Sequence, residues 1–129
     1  MTQEVIRLRI KRQDSPDSRS YFEEFNLPYR KNMNITAVLM EIQKNPINAK
    51  GEKTTAVVWE CVCLEEVCGS CSMLVNGKPA QACSSLIDKL EQPITIAPLS
   101  SFPIIRDLKV DRKRMFDALK EVKAWIPID

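Results

Sequence analysis

Residues 59–83 read WECVCLEEVCGSCSMLVNGKPAQAC, and this stretch decides the fold of the chain. Asn76 and Gly77 are the pair preferred in a two-residue type I′ turn, because both turn positions need a positive φ. The pair predicts a hairpin whose strands cover residues 72–75 and 78–83. Such a hairpin folds Cys83 back toward Cys71, which lies just before its first strand.

The same stretch holds four cysteines, Cys63, Cys68, Cys71 and Cys83, separated by four, two and eleven residues. The first two separations are those of plant-type ligand sets for a 2Fe-2S cluster. Three thiolates on one wrapping loop and a fourth from the neighbouring hairpin would give each iron two ligands. Gly69 lies inside the loop, where the absence of a Cβ lets backbone amides approach the cluster sulfides. The spacing therefore predicts these four cysteines as ligands of a 2Fe-2S cluster.

Other kinds of cysteine site fit the spacing less well. Cys68 and Cys71 could form half of a zinc site, but the second half would be Cys61 with Cys63, or Cys83 alone, and neither has the usual spacing. A redox pair of thioredoxin type would be followed by a helix, whereas a strand is predicted there. Cys61 lies outside the ligand pattern, and we expect it to fill a small apolar position instead.

The rest of the chain predicts an α+β fold. Ile6, Leu8 and Ile10 alternate with charged residues, which is the period of a half-buried strand. Asn34 can cap a helix with an apolar stripe, and Pro46 marks the end of that helix. The predicted elements are strands at 5–10, 21–27, 54–59, 72–75, 78–83 and 93–99, a helix from residue 35, a turn at 86–90 and a helix from residue 111. This order predicts a β-grasp architecture, a mixed sheet with a helix packed on one face.

Length and composition limit the classes of function. A chain of 129 residues predicts a single domain over 1–129. The chain has no histidine, which excludes imidazole-dependent triads, histidine zinc sites and Rieske clusters. Its 19 Lys and Arg residues against 17 Asp and Glu residues give a net charge of +2, too balanced for a nucleic-acid binder.

The sequence also predicts where the chain resides. No stretch approaches the roughly 20 apolar residues of a spanning helix, so we expect no direct membrane insertion. The N-terminus has neither the basic start nor the apolar run of a signal peptide, which predicts a cytoplasmic protein. In that reducing compartment, five cysteines indicate metal binding or redox chemistry more than disulfides.

Residues 59–71, followed by Asn76, Gly77, Lys78, Pro79 and Cys83, resemble the N-terminal domain of succinate dehydrogenase iron-sulfur subunits, in particular the menaquinone-linked bacterial type. Residues 99–128 are also similar to that family, so the resemblance covers nearly the whole chain. Fumarate reductase iron-sulfur subunits share the short gap before the fourth cysteine. The resemblance implies a 2Fe-2S ferredoxin-like domain.

The resemblance further implies one-electron transfer from a flavoprotein subunit, through the 2Fe-2S cluster and two further clusters, toward quinone. It implies a membrane-anchor subunit as a second partner and a peripheral location on the inner face of the cell membrane. The chain would be part of an oxidoreductase without holding a complete catalytic site. Family members continue into a helical domain with 4Fe-4S and 3Fe-4S clusters; we expect that domain to be absent, since the sequence stops at Asp129.

Two other functions remain open from the residues alone. The first is a stand-alone 2Fe-2S ferredoxin, which would need no partner-facing apolar surface. The second, from a different class, is a zinc-stabilised β-grasp interaction module, which would be colourless and without redox activity.

Overall fold

The structure is a computed structural model that describes residues 5–60, 72–100 and 102–111. Within these ranges the chain forms one α-helix, one short 3₁₀ helix and seven strands. Their bounds are β1 Val5–Arg12, β2 Tyr21–Pro28, α1 Ile35–Lys44, β3 Ser72–Val75, β4 Lys78–Gln81, the 3₁₀ helix Ile87–Lys89, β5 Ile94–Ala97, β6 Ile104–Arg106 and β7 Lys109–Val110.

Five of these strands form a mixed sheet in the order β2-β1-β5-β3-β4. β1 pairs antiparallel with β2 and parallel with β5, and Ile10 lies beside Ile96 in the parallel pair. β3 pairs antiparallel with both β5 and β4. A parallel central pair flanked by two hairpins, with one helix, confirms the predicted α+β fold.

β1 shows how the sequence builds the inner face of the sheet. Ile6, Leu8 and Ile10 are buried, and Arg7 and Arg9 between them are exposed. Burying an aliphatic side chain of this size contributes about 1.5–3 kcal/mol, so the alternation fixes which face turns inward. The inward series continues to Arg12, whose side chain is also buried.

Helix α1 contributes the other half of the core. The Asn34 side chain caps it by accepting a hydrogen bond from the Ala37 backbone N–H at 2.8 Å, and the helix ends one residue before the C-cap Asn45, which Pro46 follows. The predicted cap, apolar stripe and end are therefore confirmed. Its buried residues are Ile35, Thr36, Val38, Leu39 and Ile42.

The hairpin of β3 and β4 forms as the turn residues predict. Asn76 has a φ of 51° and Gly77 a φ of 82°, so both turn positions are left-handed. The second strand is shorter than predicted, because β4 ends at Gln81 and the chain then turns, with the Ser84 N–H donating to the Gln81 carbonyl at 3.1 Å. Cys83 therefore lies on the turn that follows the hairpin.

The predicted strand at 54–59 is wrong. These residues are rich in β-branched side chains, yet they have no regular secondary structure. Their backbone groups bond to the buried side chains of Arg12 and Asp107 instead of to a neighbouring strand. Strand propensity is easily overridden where tertiary contacts supply other hydrogen-bond partners.

The small hairpin of β6 and β7 was not predicted from the sequence. Its turn contains Asp107, which has a φ of 48° and is buried. The strand predicted at 93–99 forms over Ile94–Ala97, and the turn predicted at 86–90 contains the 3₁₀ helix. The helix predicted from residue 111 lies outside the described residues.

Candidate metal centre

Of the four predicted ligands, the structure describes Cys83. Its side chain belongs to the hydrophobic core cluster, and the residue is only 9% exposed. The Cys83 Sγ lies 3.6 Å from the side-chain oxygen of Gln81, the last residue of β4. Cys63, Cys68 and Cys71 lie outside the described residues, as do Cys61 and Gly69. The segment 61–71 that holds them is called the cysteine segment below.

The N-terminus of α1 fixes the turn that carries Cys83. The Asn34 Nδ2 donates to the Cys83 backbone oxygen at 3.0 Å, while its Oδ1 caps the helix. The next two backbone N–H groups, of Ile35 and Thr36, donate to the carbonyls of Ser85 at 3.0 Å and Ala82 at 3.3 Å. The helix end, which would otherwise leave these donors without partners, therefore holds the turn from both sides of the cysteine.

On the inner side of the sheet, Arg12 is the centre of a buried polar network. It is fully buried at the end of β1, and its Nε and Nη2 donate to the two carboxylate oxygens of Asp107 at 3.2 and 2.9 Å. Its Nη1 also donates to a carboxylate oxygen of Glu23 at 2.7 Å. Two carboxylates, and hydrogen bonds donated by all three guanidinium nitrogens, compensate for the removal of this charge from water.

The same guanidinium binds the chain segment that precedes the cysteine segment. Its Nη1 donates to the Thr55 carbonyl at 2.9 Å, and its Nη2 donates to the Ala56 carbonyl at 3.1 Å and to the Thr55 hydroxyl at 3.0 Å. The Asp107 carboxylate accepts from the Val58 N–H at 2.9 Å and from the Gln13 N–H at 3.1 Å. The ion pair thus joins the end of β1, the β6–β7 turn and residues 55–58.

Electrostatics within this network favour the ionised forms. Burial alone would raise the pKa of Glu23, but hydrogen bonds from Asn48, Arg12 and Thr54 outweigh it, and the pKa lies below its ordinary value of 4.5. Burial likewise opposes the charge of Arg12, yet hydrogen bonds to Asp107 and Glu23 raise its pKa. Arg12 and Glu23 therefore stay charged at neutral pH.

Apolar packing continues this anchoring toward the cysteine segment. Val57 is buried in the hydrophobic core, and the partly buried Trp59 packs against that core. The Val58 carbonyl accepts a hydrogen bond from the Leu108 N–H at 3.0 Å, which ties the segment to the turn of Asp107. The chain is thus fixed by side chain and backbone up to two residues before the cysteine segment begins.

The chain that leaves the cysteine segment is fixed by the sheet. Ser72, which follows Cys71 in the sequence, is the first residue of β3 and pairs with Gln81 on β4. Gln81 precedes Cys83 by two residues. The strand that follows the predicted three-cysteine loop therefore lies beside the strand that leads to the predicted fourth ligand.

The donor chemistry of this arrangement fits a cluster with four thiolate ligands. A 2Fe-2S centre with cysteine ligands needs thiolates and no imidazole, and the chain has five cysteines and no histidine. Cys83 lies in an apolar setting that limits the access of water. Within residues 5–60, 72–100 and 102–111, no group of three or more His, Cys, Asp or Glu side chains could hold a metal ion. This is expected, because three of the four predicted ligands lie outside those residues.

Comparison with protein families identifies the cofactor. The sequence profile of a family described as a 2Fe-2S iron-sulfur cluster binding domain matches residues 7–117. The chain belongs to this 2Fe-2S domain family. A 2Fe-2S cluster is therefore its cofactor, as the cysteine spacing predicts.

Individual members of the 2Fe-2S domain family are also similar to the chain. It is 63% identical to the succinate dehydrogenase iron-sulfur subunit of Bacillus subtilis, over 98% of this chain and 50% of that protein. It is 31% identical to the fumarate reductase iron-sulfur subunit of Wolinella succinogenes, over 95% of this chain and 50% of that protein. These similarities confirm the resemblance stated from the sequence.

A solved structure shares the fold of this 2Fe-2S domain. A chain of the Mycobacterium smegmatis Sdh1 complex in the apo form superimposes with a TM-score of 0.76 at 22% identity, covering 98% of this chain and 48% of that one. The chain spans about half the length of the curated relatives it matches. No helix in the part of the chain that the structure describes is long and apolar enough to span a bilayer.

The residues that hold residues 55–58 and the turn of Cys83 were only partly identifiable from the sequence. Arg12 carried a signal, since it occupies an inward position of the alternating series Ile6, Leu8 and Ile10, where a charge requires a buried partner. Nothing in the sequence marks Asp107, 95 residues away, as that partner. Asn34 was identified as a helix cap, but its second hydrogen bond, to Cys83, was not.

Proposed function

We propose that this chain carries single electrons through its 2Fe-2S cluster as part of a succinate dehydrogenase iron-sulfur subunit, with Cys63, Cys68, Cys71 and Cys83 as the ligands. The placement of Cys83 carries the proposal. It is a buried thiol on a turn held by α1, and it follows a strand that pairs with the strand after Cys71. The 63% identity with the Bacillus subtilis subunit supports the assignment to succinate dehydrogenase.

The cluster, when bound, accepts and releases one electron at a time. The described residues supply a rigid site for it. Cys83 offers its sulfur from an apolar setting, and Asn34 fixes the backbone of that cysteine. Arg12 and Asp107 fix the chain before the other three proposed ligands.

The proposed partners follow from the relatives. Electrons would arrive from a flavoprotein subunit and continue toward quinone, with a membrane-anchor subunit holding the assembly on the inner face of the cell membrane. The chain would be cytoplasmic and peripheral, and it would act only within this complex. The identity to a succinate dehydrogenase subunit supports these partners.

The ligand assignment is tested by protein purified without oxygen. We expect iron and acid-labile sulfide in the 2:2 ratio of the cluster, little zinc, and an EPR signal on reduction. Cys83→Ala should lose the cluster, whereas the matched variant Cys61→Ala should keep it. A full cluster in Cys83→Ala, or its loss in Cys61→Ala, would contradict the ligand set. Zinc without sulfide would favour a zinc module.

The electron-transfer role is tested in the assembled complex. With Cys83→Ala in the iron-sulfur subunit, succinate should still reduce the flavin of the flavoprotein subunit, but electrons should not reach quinone. The Cys61→Ala complex serves as the control and should reduce quinone at the wild-type rate. Undiminished quinone reduction in a Cys83→Ala complex shown to lack the 2Fe-2S cluster would refute the proposed path.

A further inference from the structure

Residues 54–58 approach the cysteine segment without a strand partner in the described part of the chain. Such a segment has backbone donors and acceptors that a sheet would otherwise satisfy. The side chains of Arg12 and Asp107 take over that role for the carbonyls of Thr55 and Ala56 and for the N–H of Val58. This pair is called the clamp below.

The clamp is rigid because both of its members are held from other elements. Arg12 is the last residue of β1, the strand paired with both β2 and β5. The Asp107 N–H donates to the Gln13 carbonyl at 2.8 Å, and its carboxylate accepts from the Gln13 N–H at 3.1 Å. Two parallel charge-assisted hydrogen bonds then fix the guanidinium plane.

Stability alone is a weak reason for such a pair. Both side chains have no exposed surface, and the removal of two charges from water offsets much of their attraction. An apolar pair could fill the same volume, but it could not bond the carbonyls of Thr55 and Ala56 or the N–H of Val58. The distinctive contribution of the clamp is the placement of this segment.

We propose that Arg12 and Asp107 are positioning residues for the 2Fe-2S site. They set the place and direction from which the chain enters the cysteine segment, and through it the geometry of the cluster ligands. Val58, the residue bonded to Asp107, precedes Cys63 by five positions in the sequence. The inference rests on the ligand set proposed above.

Two substitutions test the clamp in the cluster-loaded protein. Arg12→Lys keeps the charge but cannot form the forked contact. Asp107→Asn should tolerate the left-handed backbone, because asparagine adopts it readily. Its side-chain NH₂ group is a donor, however, and would occupy a position where a carboxylate oxygen accepts two hydrogen bonds in the wild type. Both should lose the cluster to an iron chelator about tenfold faster than the wild type and change the EPR line shape of the reduced cluster.

The matched control is Ile42→Val, which removes one methylene from the buried face of α1 and lowers the melting temperature without touching the clamp. It should keep the wild-type EPR line shape and chelation rate. If Ile42→Val loses its cluster as fast as a clamp variant that has the same melting temperature, the clamp only stabilises the fold, and the proposal fails. It also fails if both clamp variants match the wild type.

A milder variant covers the case in which both substitutions prevent folding. Thr55→Val removes only the hydroxyl that accepts from the Arg12 Nη2 at 3.0 Å, and it should show the same change at smaller amplitude. A wild-type EPR spectrum and chelation rate in folded Thr55→Val would then overturn the proposal. The iron and sulfide content of the wild type tests the proposed ligand set separately. Failure of the ligand set and failure of the clamp proposal would therefore give different experimental results.

Discussion

Asn34 and Cys83, 49 residues apart in the sequence, are joined by a hydrogen bond of 3.0 Å from the Asn34 side-chain nitrogen to the Cys83 backbone oxygen. The other end of the same amide caps helix α1. One side chain therefore both begins the helix and fixes the turn of the proposed fourth ligand. The two roles use different atoms and can be separated by substitution.

Asn34→Asp should separate them. Aspartate caps a helix as well as asparagine does, so the stability of α1 is retained. It cannot donate to the Cys83 carbonyl and places a negative oxygen opposite it. We expect a free energy of unfolding about 1 kcal/mol below that of the wild type, from the lost hydrogen bond and not from the cap, and faster loss of iron to a chelator. Cluster retention equal to the wild type would show that the hydrogen bond to Cys83 has no role at the site.

Asn34→Ala removes both functions of the side chain. Loss of the cap should cost about 1 kcal/mol and loss of the second hydrogen bond about 1 kcal/mol more. Urea unfolding of the two variants measures the difference. Equal destabilisation by Asn34→Asp and Asn34→Ala would mean that the cap contributes nothing to stability.

The two turn glycines offer a matched pair for the hairpin. Gly77 has a φ of 82° and Gly51 a φ of 78°, and a Cβ on either residue would meet nothing within 4 Å. Alanine at either position should therefore cost about 1–2 kcal/mol through backbone conformation alone. Only Gly77 lies in the hairpin that leads to Cys83. Gly77→Ala should accelerate cluster loss and Gly51→Ala should not; equal rates would show that the hairpin turn does not control the site.

Features that depend on residues close together in the sequence could be predicted, and features that depend on distant residues could not. Asn76 and Gly77 specify their turn by their own φ preferences, and the alternation of Ile6, Leu8 and Ile10 specifies an inward face. These local signals led to the correct turn at Asn76 and Gly77, the correct helix and the correct fold class. The four-cysteine spacing likewise predicted the cofactor of the family.

The clamp was not predictable because it joins residues that are distant in sequence. Residues 54–59 have strand-forming side chains, and their contacts with Arg12 and Asp107 help to explain why they form no strand. An inward arginine signals that a buried partner exists but does not identify it. Long-range pairing of this kind depends on the assembled sheet and not on any window of sequence.

Removal of the cluster should leave most of the described fold intact. The sheet and α1 share an apolar core of described residues that includes Ile6, Ile10, Ile94 and Ile96. Amide hydrogen exchange at these residues should be as slow in chelator-treated protein as in cluster-loaded protein. Faster exchange is expected at the N–H of Ile35, whose acceptor lies on the turn of Cys83. Uniform loss of protection would show instead that the fold depends on the cluster.

The lowered pKa of Glu23 predicts a pH dependence of stability. Burial opposes ionisation of this carboxylate, but its hydrogen bonds with Asn48, Arg12 and Thr54 outweigh that effect and bring its pKa below 4.5. A group that releases its proton more readily in the folded state stabilises that state above its unfolded pKa. The contribution should be complete at neutral pH and should be lost as the pH falls from about 4.5 through the folded pKa.

Glu23→Gln isolates this contribution because glutamine does not titrate. The cluster-free chain is used, since acid releases the sulfide of the cluster. We expect the wild type to have a larger free energy of unfolding in urea than Glu23→Gln at pH 7. The difference between the two should become smaller as the pH falls below about 4.5. Thr54→Val removes one hydrogen-bond donor, at 3.0 Å from Glu23. The difference in free energy of unfolding between Thr54→Val and Glu23→Gln should therefore change less with pH than the difference between the wild type and Glu23→Gln. A gap between wild type and Glu23→Gln that stays constant from pH 7 to 3 would mean that ionisation of Glu23 does not stabilise the fold.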